Sequence, residues 1–308
     1  MNKRTMKIPS SDGVHKLHVV IWEIEAPKAI VQISHGMVEF IERYEEFAAY
    51  LNERGFLVVG NDHLGHGQTA GSDEDLGYFC DAKSAAVVED LHRVTTKIKE
   101  EYPNLPLFLY GHSMGSFMAR RYLMTYGQEL TGAIIAGTGR KKPLILGTAK
   151  LINGMVGLFK GERHRSKLMS KLAFGTYNKR IPNRRSDNDW LTRDEKIVDM
   201  YNAHKHCMFI FTVNGNRTLF DALTFIQKKE NIAKLPKDLP VFMVAGAEDP
   251  VGDYGKGVVE VYESYKQHGI KDITLKLYEE DRHEILNELD RETVYKDVAD
   301  WIESKMPQ

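Results

Sequence analysis

Leu107-Phe108-Leu109-Tyr110-Gly111-His112-Ser113-Met114-Gly115 is the stretch on which the reading of this chain turns. The apolar run from Leu105 to Tyr110 reads as a buried strand, and Met114 to Tyr126 reads as the helix that follows it. Between them stands G-x-S-x-G, a sharp strand-to-helix turn with a serine at its apex. The spacing has a steric cause. Backbone segments pass close together two residues before and two residues after such a serine, and Gly111 and Gly115 leave room for them. The helix then aims unpaired N–H groups and the positive end of its dipole at whatever Ser113 attacks.

Working outward, short apolar runs alternate with amphipathic ones. Leu17 to Ile24, Ala29 to Ser34, Phe56 to Gly60 and Gly132 to Ala136 read as strands. Glu42 to Arg54 has helical spacing of Tyr44, Phe47, Ala48 and Leu51 and stops at Gly55, and Ser84 to Glu101 is a helix closed by Pro103. The alternation resumes late in the chain with Val241 to Ala245, Gly257 to Gln267, Ile273 to Tyr278 and Val294 to Ser304. This pattern predicts an α/β class and a mostly parallel, doubly wound sheet, whose ligands bind beyond the carboxyl ends of its strands.

The stretch from about Arg140 to Arg217 breaks the alternation. Between Arg140 and Asp189 stand thirteen Lys or Arg against three acids, a local balance of +10 in a chain whose formal net charge is -1. The same stretch holds an apolar run, Leu144 to Phe159, interrupted by Lys150 and Asn153. It is expected to form an inserted helical cap over the active edge of the sheet, residues 140–217, with 1–139 and 218–308 making up the core.

Composition narrows the function. A hydrophobic content of 42% and a charged content of 28% over 308 residues suit a globular enzyme. The near-neutral balance argues against a dedicated nucleic-acid binder. Cys80 and Cys207 are too few for a disulfide framework, and two inert thiols in a reducing compartment are the expectation. The first residues, MNKRTMKIPSSDG, carry charge with no apolar core behind it, and no apolar run spans a bilayer. A cytoplasmic protein is therefore expected, with the basic stretch either resting on an anionic membrane surface or only roofing the acyl-chain pocket.

A serine hydroxyl becomes a nucleophile when a base takes its proton and an acid fixes the tautomer of that base. In the arrangement that uses this elbow, the order along the chain is serine, acid, histidine. Asp249 follows the late strand Val241 to Ala245, with Glu248 and Asp253 as rivals, and His283 follows the last strand. His268 precedes that strand and competes poorly. Two backbone N–H groups are needed for the developing oxyanion. They are assigned to Met114, next to the serine, and to Met37, in the loop after an early strand. Asp62-His63-Leu64-Gly65-His66-Gly67 offers histidines and an acid, but nothing completes a metal site. It reads as a turn whose histidines pack and hydrogen-bond beneath the site. No metal and no cofactor are expected.

Together these pieces resemble the monoacylglycerol lipase and lysophospholipase group of α/β-hydrolases. The resemblance rests on His35-Gly36-Met37-Val38-Glu39, Arg43-Tyr44, Asp62 to Gly67, the Gly111 to Gly115 elbow, Gly246 to Asp249, and His283, and it covers nearly the whole chain outside the insert. It implies an α/β-hydrolase fold and a serine carboxylic-ester hydrolase acting on single-chain acyl lipids. It also implies that Glu39, Arg43 and His112 hold a glycerol-like head group. For Glu39 and Arg43 the alternative is a buried ion pair bracing the oxyanion loop. Ser116 stands where such lipases often have another glycine, and His283 lacks the glycine often found before it. Short-chain or aromatic esterase, aminopeptidase and acyltransferase activities share this scaffold, and a silent binding protein would lack part of the triad.

Overall fold

The computed structural model describes residues 2–80 and 83–307. Eight strands form one sheet: β1 (Asn2–Pro9), β2 (Lys16–Glu23), β3 (Ala29–Ser34), β4 (Phe56–Asn61), β5 (Leu107–His112), β6 (Gly132–Ala136), β7 (Val241–Gly246) and β8 (Ile273–Tyr278). Their order across the sheet is β1-β2-β4-β3-β5-β6-β7-β8. β1 pairs antiparallel with β2, and β2 with β4; every other pairing is parallel. The strands from β3 to β7 are buried along their whole length, which is why they read as continuous apolar runs rather than alternating ones.

Helices cover both faces. On one, α1 (Glu45–Glu53) brings Phe47 and Leu51 against Tyr110 and Val58. On the other, α2 (Ser84–Glu101) and α3 (Met114–Tyr126) bring Val94, Tyr122 and Met118 against Leu109 and Ile135. This is the doubly wound α/β-hydrolase sheet expected of the sequence. Strand order reverses at β3, so the crevice at its carboxyl end, between the loops after β3 and β5, is the natural ligand position.

Two elements differ from the expectation. β1 is an additional edge strand: its residues alternate between exposed and half-buried, and Lys3, Arg4 and Lys7 blunt the edge. The segment expected to be helical from Glu42 opens instead with a 3₁₀ turn over Ile41–Tyr44 before α1 begins.

After β6 the chain leaves the sheet and returns only at Val241. The excursion carries α4 (Pro143–Lys160), α5 (Lys167–Phe174), α6 (Glu195–Ala203), α7 (Val213–Ile226) and the short α8 (Lys229–Ile232). Helix α7 contains the expected boundary at residue 217 and packs on α4 as well as on α2 and α3. The excursion is fastened at several points. Arg165 donates to the carbonyl oxygens of Asp73, Glu74 and Leu76 at 3.3, 2.8 and 3.0 Å. Leu191 accepts from the Glu284 N–H at 2.7 Å. The late helices α9 (Lys256–Gln267) and α10 (Arg291–Ser304) close the two faces of the sheet. The two cysteines are not joined in a disulfide. No helix among the described residues is long and apolar enough to cross a membrane.

Candidate active site

Ser113 lies at the carboxyl end of β5 with φ 53° and ψ -119°, a strained conformation for a residue with a side chain. Its own N–H is held by the Ala136 carbonyl at 3.0 Å, at the end of the neighbouring strand. Gly115 shows why the turn needs glycine: a Cβ there would collide with the backbone carbonyls of Ser34 and His35. The first turn of α3 is thus pressed against the end of β3. Gly36 lies on the other side of the serine; a Cβ built on it would stand 3.2 Å from the Ser113 Cβ. Gly36 therefore packs directly beside the Ser113 side chain.

The structure brings Ser113, His283 and Asp249 together. The Ser113 hydroxyl and His283 Nε2 are 2.7 Å apart, a hydrogen bond in which the hydroxyl can donate. His283 Nδ1 lies 2.9 Å from Asp249 Oδ2, although the ring N–H points off the line to the carboxylate. Asp249 Oδ1 accepts from the Val251 N–H at 2.8 Å, which fixes the carboxylate. Asp249 and His283 are buried. The rival acids face outward: Asp253 is exposed, and Glu248 points toward Arg180, 4.0 Å away. His268 donates to the Ser264 carbonyl at the end of α9, away from the serine.

Glu39, Arg43 and His112 are also brought together, with their polar atoms turned toward protein. Glu39 Oε1 accepts from Tyr44 at 3.0 Å, from His112 Nδ1 at 3.2 Å, and from the Gly36 N–H; Oε2 accepts from Arg43 at 2.8 Å. The Arg43 guanidinium also reaches both oxygens of Glu284 at 2.7 Å. Glu39 is held well below the usual carboxylate range: burial alone would raise it, but the His112 hydrogen bond and the Arg43 charge prevail. Arg43 is half-buried and stays charged because Glu284 and Glu39 face it. In this structure the set forms an ion-paired network beneath the Gly36–Met37 loop.

The histidines of the Asp62 to Gly67 turn lie beneath that loop. His35 Nδ1 donates to the Gly36 carbonyl at 2.8 Å and Nε2 accepts from the His63 N–H at 2.9 Å. His66 Nδ1 donates to the Leu64 carbonyl at 3.0 Å and Nε2 accepts from the Val38 N–H at 3.2 Å. Burial pushes His35 down to about 4 and His66 down to about 3, so both are neutral packing groups with one donor and one acceptor. Asp62 ties the backbone N–H groups of Ile41 and Gln68 at 2.8 and 2.7 Å, and its burial pushes its carboxyl up to about 7.

Several contributors were not singled out from the sequence. Glu284 follows His283 and grips Arg43. Trp190, from the excursion, lays its ring 5.0 Å from that of His283 and accepts from the His283 N–H at 3.4 Å. Tyr201, on α6, donates to the Val38 carbonyl at 2.8 Å and lies under the Arg43 guanidinium. Sequence spacing carries no signal for these contacts, since each joins segments that are remote along the chain.

The chain is similar to known proteins over nearly its whole length. The chain is 29% identical to a monoglyceride lipase of Mus musculus over 91% of its own length and 84% of the relative's. It is 27% identical to a monoacylglycerol lipase of Mycolicibacterium smegmatis over 96% of each chain. The fold superposes with a TM-score of 0.92 on the crystal structure of a thermostable carboxyl esterase from Bacillus coagulans in complex with glycerol, which is 31% identical and covers all of both chains. The family model described as serine aminopeptidase, S33, matches residues 25–290, and the chain belongs to that family of α/β-hydrolases.

Proposed function

We propose that the protein is a serine carboxylic-ester hydrolase that cleaves single-chain acyl lipids, monoacylglycerols or lysophospholipids, through an acyl-enzyme. The observation that carries this reading is the relay from Ser113 Oγ to His283 Nε2 at 2.7 Å, with Asp249 at the other ring nitrogen. Ser113 attacks the ester carbonyl as its proton passes to His283, and Asp249 holds the imidazole in the required tautomer. The backbone N–H groups of Met37 and Met114 receive the oxyanion, each contributing about 3 kcal/mol to the lowered barrier. The leaving alcohol takes the proton from His283. Water then enters by the same route and releases the fatty acid. No cofactor takes part in this scheme.

The names of the relatives support the lipid class, and so does the excursion over the site. Helix α4 leaves Leu144, Ile145, Leu151, Met155, Leu158 and Phe159 exposed beside Lys142, Lys150 and Lys160. In this reading the segment is a cap that rests on an anionic lipid surface, from which a single-chain ester would be drawn.

Fluorophosphonate labelling and a substrate panel test the proposal. Ser113→Ala and His283→Ala should each remove nearly all turnover while the fold persists, and Ser113→Ala should also abolish labelling. Activity above about a hundredth of wild type in Ser113→Ala would end the serine mechanism. A matched panel of monoacylglycerols, lysophospholipids, short synthetic esters and aminoacyl amides tests the substrate. Preference for short esters or for amides would replace the lipid assignment while leaving the nucleophile in place.

A further inference from the structure

His112 stands immediately before Ser113, and both of its ring nitrogens face acceptors. Nδ1 lies 3.2 Å from Glu39 Oε1, and Nε2 lies 3.2 Å from the backbone carbonyl oxygen of His283. A carboxylate and a carbonyl cannot donate. A neutral imidazole has one N–H and would leave one of these contacts as two facing lone pairs; only the doubly protonated ring satisfies both.

Charge balance in the same space leads to the same form. Glu39, Arg43 and Glu284 are two carboxylates and one guanidinium, with side chains only 4%, 12% and 5% exposed. With a neutral His112 this group would keep one uncompensated negative charge away from water; with an imidazolium it is neutral. The groups facing His112 come from two sides. Glu39, with Arg43 and Tyr44 behind it, and the neutral His35 belong to the segment after β3, while Glu284 and the ring of His283, its centroid 4.8 Å away, belong to the loop after β8. Burial opposes the His112 charge, but the Glu39 hydrogen bond and the charges of Glu39 and Glu284 outweigh it and raise the ring above the ordinary histidine value.

We propose that His112 is a positioning residue that works as an imidazolium strut, holding the backbone of His283 to the oxyanion loop through two N–H bonds at once. The ring of contacts closes on itself: the Gly36 N–H bonds Glu39, Glu39 bonds His112, His112 bonds the His283 carbonyl, and Glu284 returns through Arg43 to Glu39. Three loops that must keep register for acyl transfer are thereby tied together, namely the oxyanion loop, the elbow and the histidine loop. The inference rests on the reading of Ser113 and His283 given above, and it adds a pH limit that the triad does not imply. Deprotonation of His112 as pH rises past its raised value removes one of the two N–H bonds and loosens the histidine loop.

The test uses the intact protein labelled with 15N-histidine. At pH 7 a long-range proton–nitrogen spectrum should show an imidazole carrying both N–H protons, identified as His112 by its proximity to the Gly36 amide. In Glu39→Gln that signal should be lost, and the alkaline limb of kcat should move down by about one pH unit while KM changes little. A wild-type spectrum in which this ring has a single N–H at pH 7 overturns the proposal, whether or not the variant folds. So does a Glu39→Gln enzyme with an unmoved alkaline limb. Fluorophosphonate labelling of Ser113 in the same samples separates the two levels. A labelled, active wild type without the imidazolium refutes the strut alone, whereas an active Ser113→Ala refutes the reading beneath it.

Discussion

Tyr201 donates its hydroxyl proton to the backbone carbonyl of Val38 at 2.8 Å, joining helix α6 of the excursion to the loop that carries the Met37 N–H. Val38 has φ 57°, an uncommon conformation for a β-branched residue, and it is held from both ends: His66 accepts from its N–H and Tyr201 donates to its carbonyl. The excursion thus supplies one of the two hydrogen bonds that hold Val38 in this conformation. In this way the position of α6 is coupled to the geometry of the proposed oxyanion donor.

Tyr201→Phe tests that coupling. The deleted hydrogen bond contributes about 1 kcal/mol to stability, so the melting temperature should fall only slightly. If Val38 relaxes and the Met37 N–H drifts, kcat for a small ester should drop about three- to tenfold, with KM little changed. A lowered melting temperature with unchanged kcat would restrict Tyr201 to packing.

Arg43→Ala removes the cation between two buried carboxylates, Glu39 and Glu284. Removing one member of such a buried set typically costs about 3 kcal/mol or more, because the remaining charges lose their partner. As a brace, Arg43 should matter equally for every substrate. The kcat/KM losses on a monoacylglycerol and on an ester without hydroxyl groups should agree within about twofold, alongside a clearly lowered melting temperature. A selective loss on the monoacylglycerol, with stability kept, would place Arg43 in the head-group site.

The parts of this site that the sequence displays are those with a local signature. The Gly111 to Gly115 turn, the slot of Asp249 after β7 and the slot of His283 after β8 are each visible as a motif beside a strand. The apolar runs of β3 to β7 stand out because both sheet faces are covered. β1 has no such mark, since an edge strand with one half-buried side can carry lysine and arginine where a central strand cannot. The brace is invisible for a different reason. Arg43 and Glu284 are 241 residues apart, and nothing in the spacing of either announces the other. The 137–240 excursion is similarly opaque, because its helices take their orientation from contacts with loops of the sheet rather than from a repeating pattern.

Arg193 fastens the excursion to the histidine loop and brings a pH signature. It pairs with Asp281 at 2.7 Å, Glu288 at 2.9 Å, Asp290 at 2.6 Å and Glu280 at 2.6 Å. Burial, then the neighbouring Glu288 and Asp290, push Asp281 up to about 7, with Arg193 acting against the rise. A carboxyl raised in the folded state favours folding at low pH, and that advantage is lost as pH rises from its unfolded value of 3.8 through about 7. Arg193→Gln removes the cation that eases ionisation, so the destabilisation should be larger at pH 8 than at pH 5, reaching about 3 kcal/mol. Thermal melts of both proteins at the two pH values measure this. An equal gap at both would show that the cluster does not depend on the arginine charge.

The basic excursion gives the last expectation. The six arginines between Arg140 and Asp189 are engaged: Arg140 with Glu260, Arg163 with Asp75, Arg165 with the carbonyls of the 73–76 turn, Arg180 over the Tyr254 ring, Arg184 with Asp187 and Arg185 with Asp199. Lys142, Lys150, Lys160, Lys167 and Lys171 are also exposed along α4 and α5. Between them Leu144 is 82% exposed, and Leu158 and Phe159 are each 85% exposed. Helix α4 turns Leu146 and Asn153 inward, the latter bonding the Val213 carbonyl at 2.9 Å, so its outward apolar side has no role in seating the helix. Burying one such side chain in lipid is favourable by about 1.5–3 kcal/mol, and each lysine near an anionic surface adds about 1 kcal/mol. The protein should therefore co-sediment with anionic vesicles at low salt, less at raised salt, and weakly with neutral ones. A double variant, Leu158→Asp with Phe159→Asp, should lose vesicle binding and hydrolysis of vesicle-borne monoacylglycerol while keeping its rate on a water-soluble ester. Equal, weak binding to both vesicle types, unchanged by salt, would leave α4 as a roof over the acyl chain and nothing more.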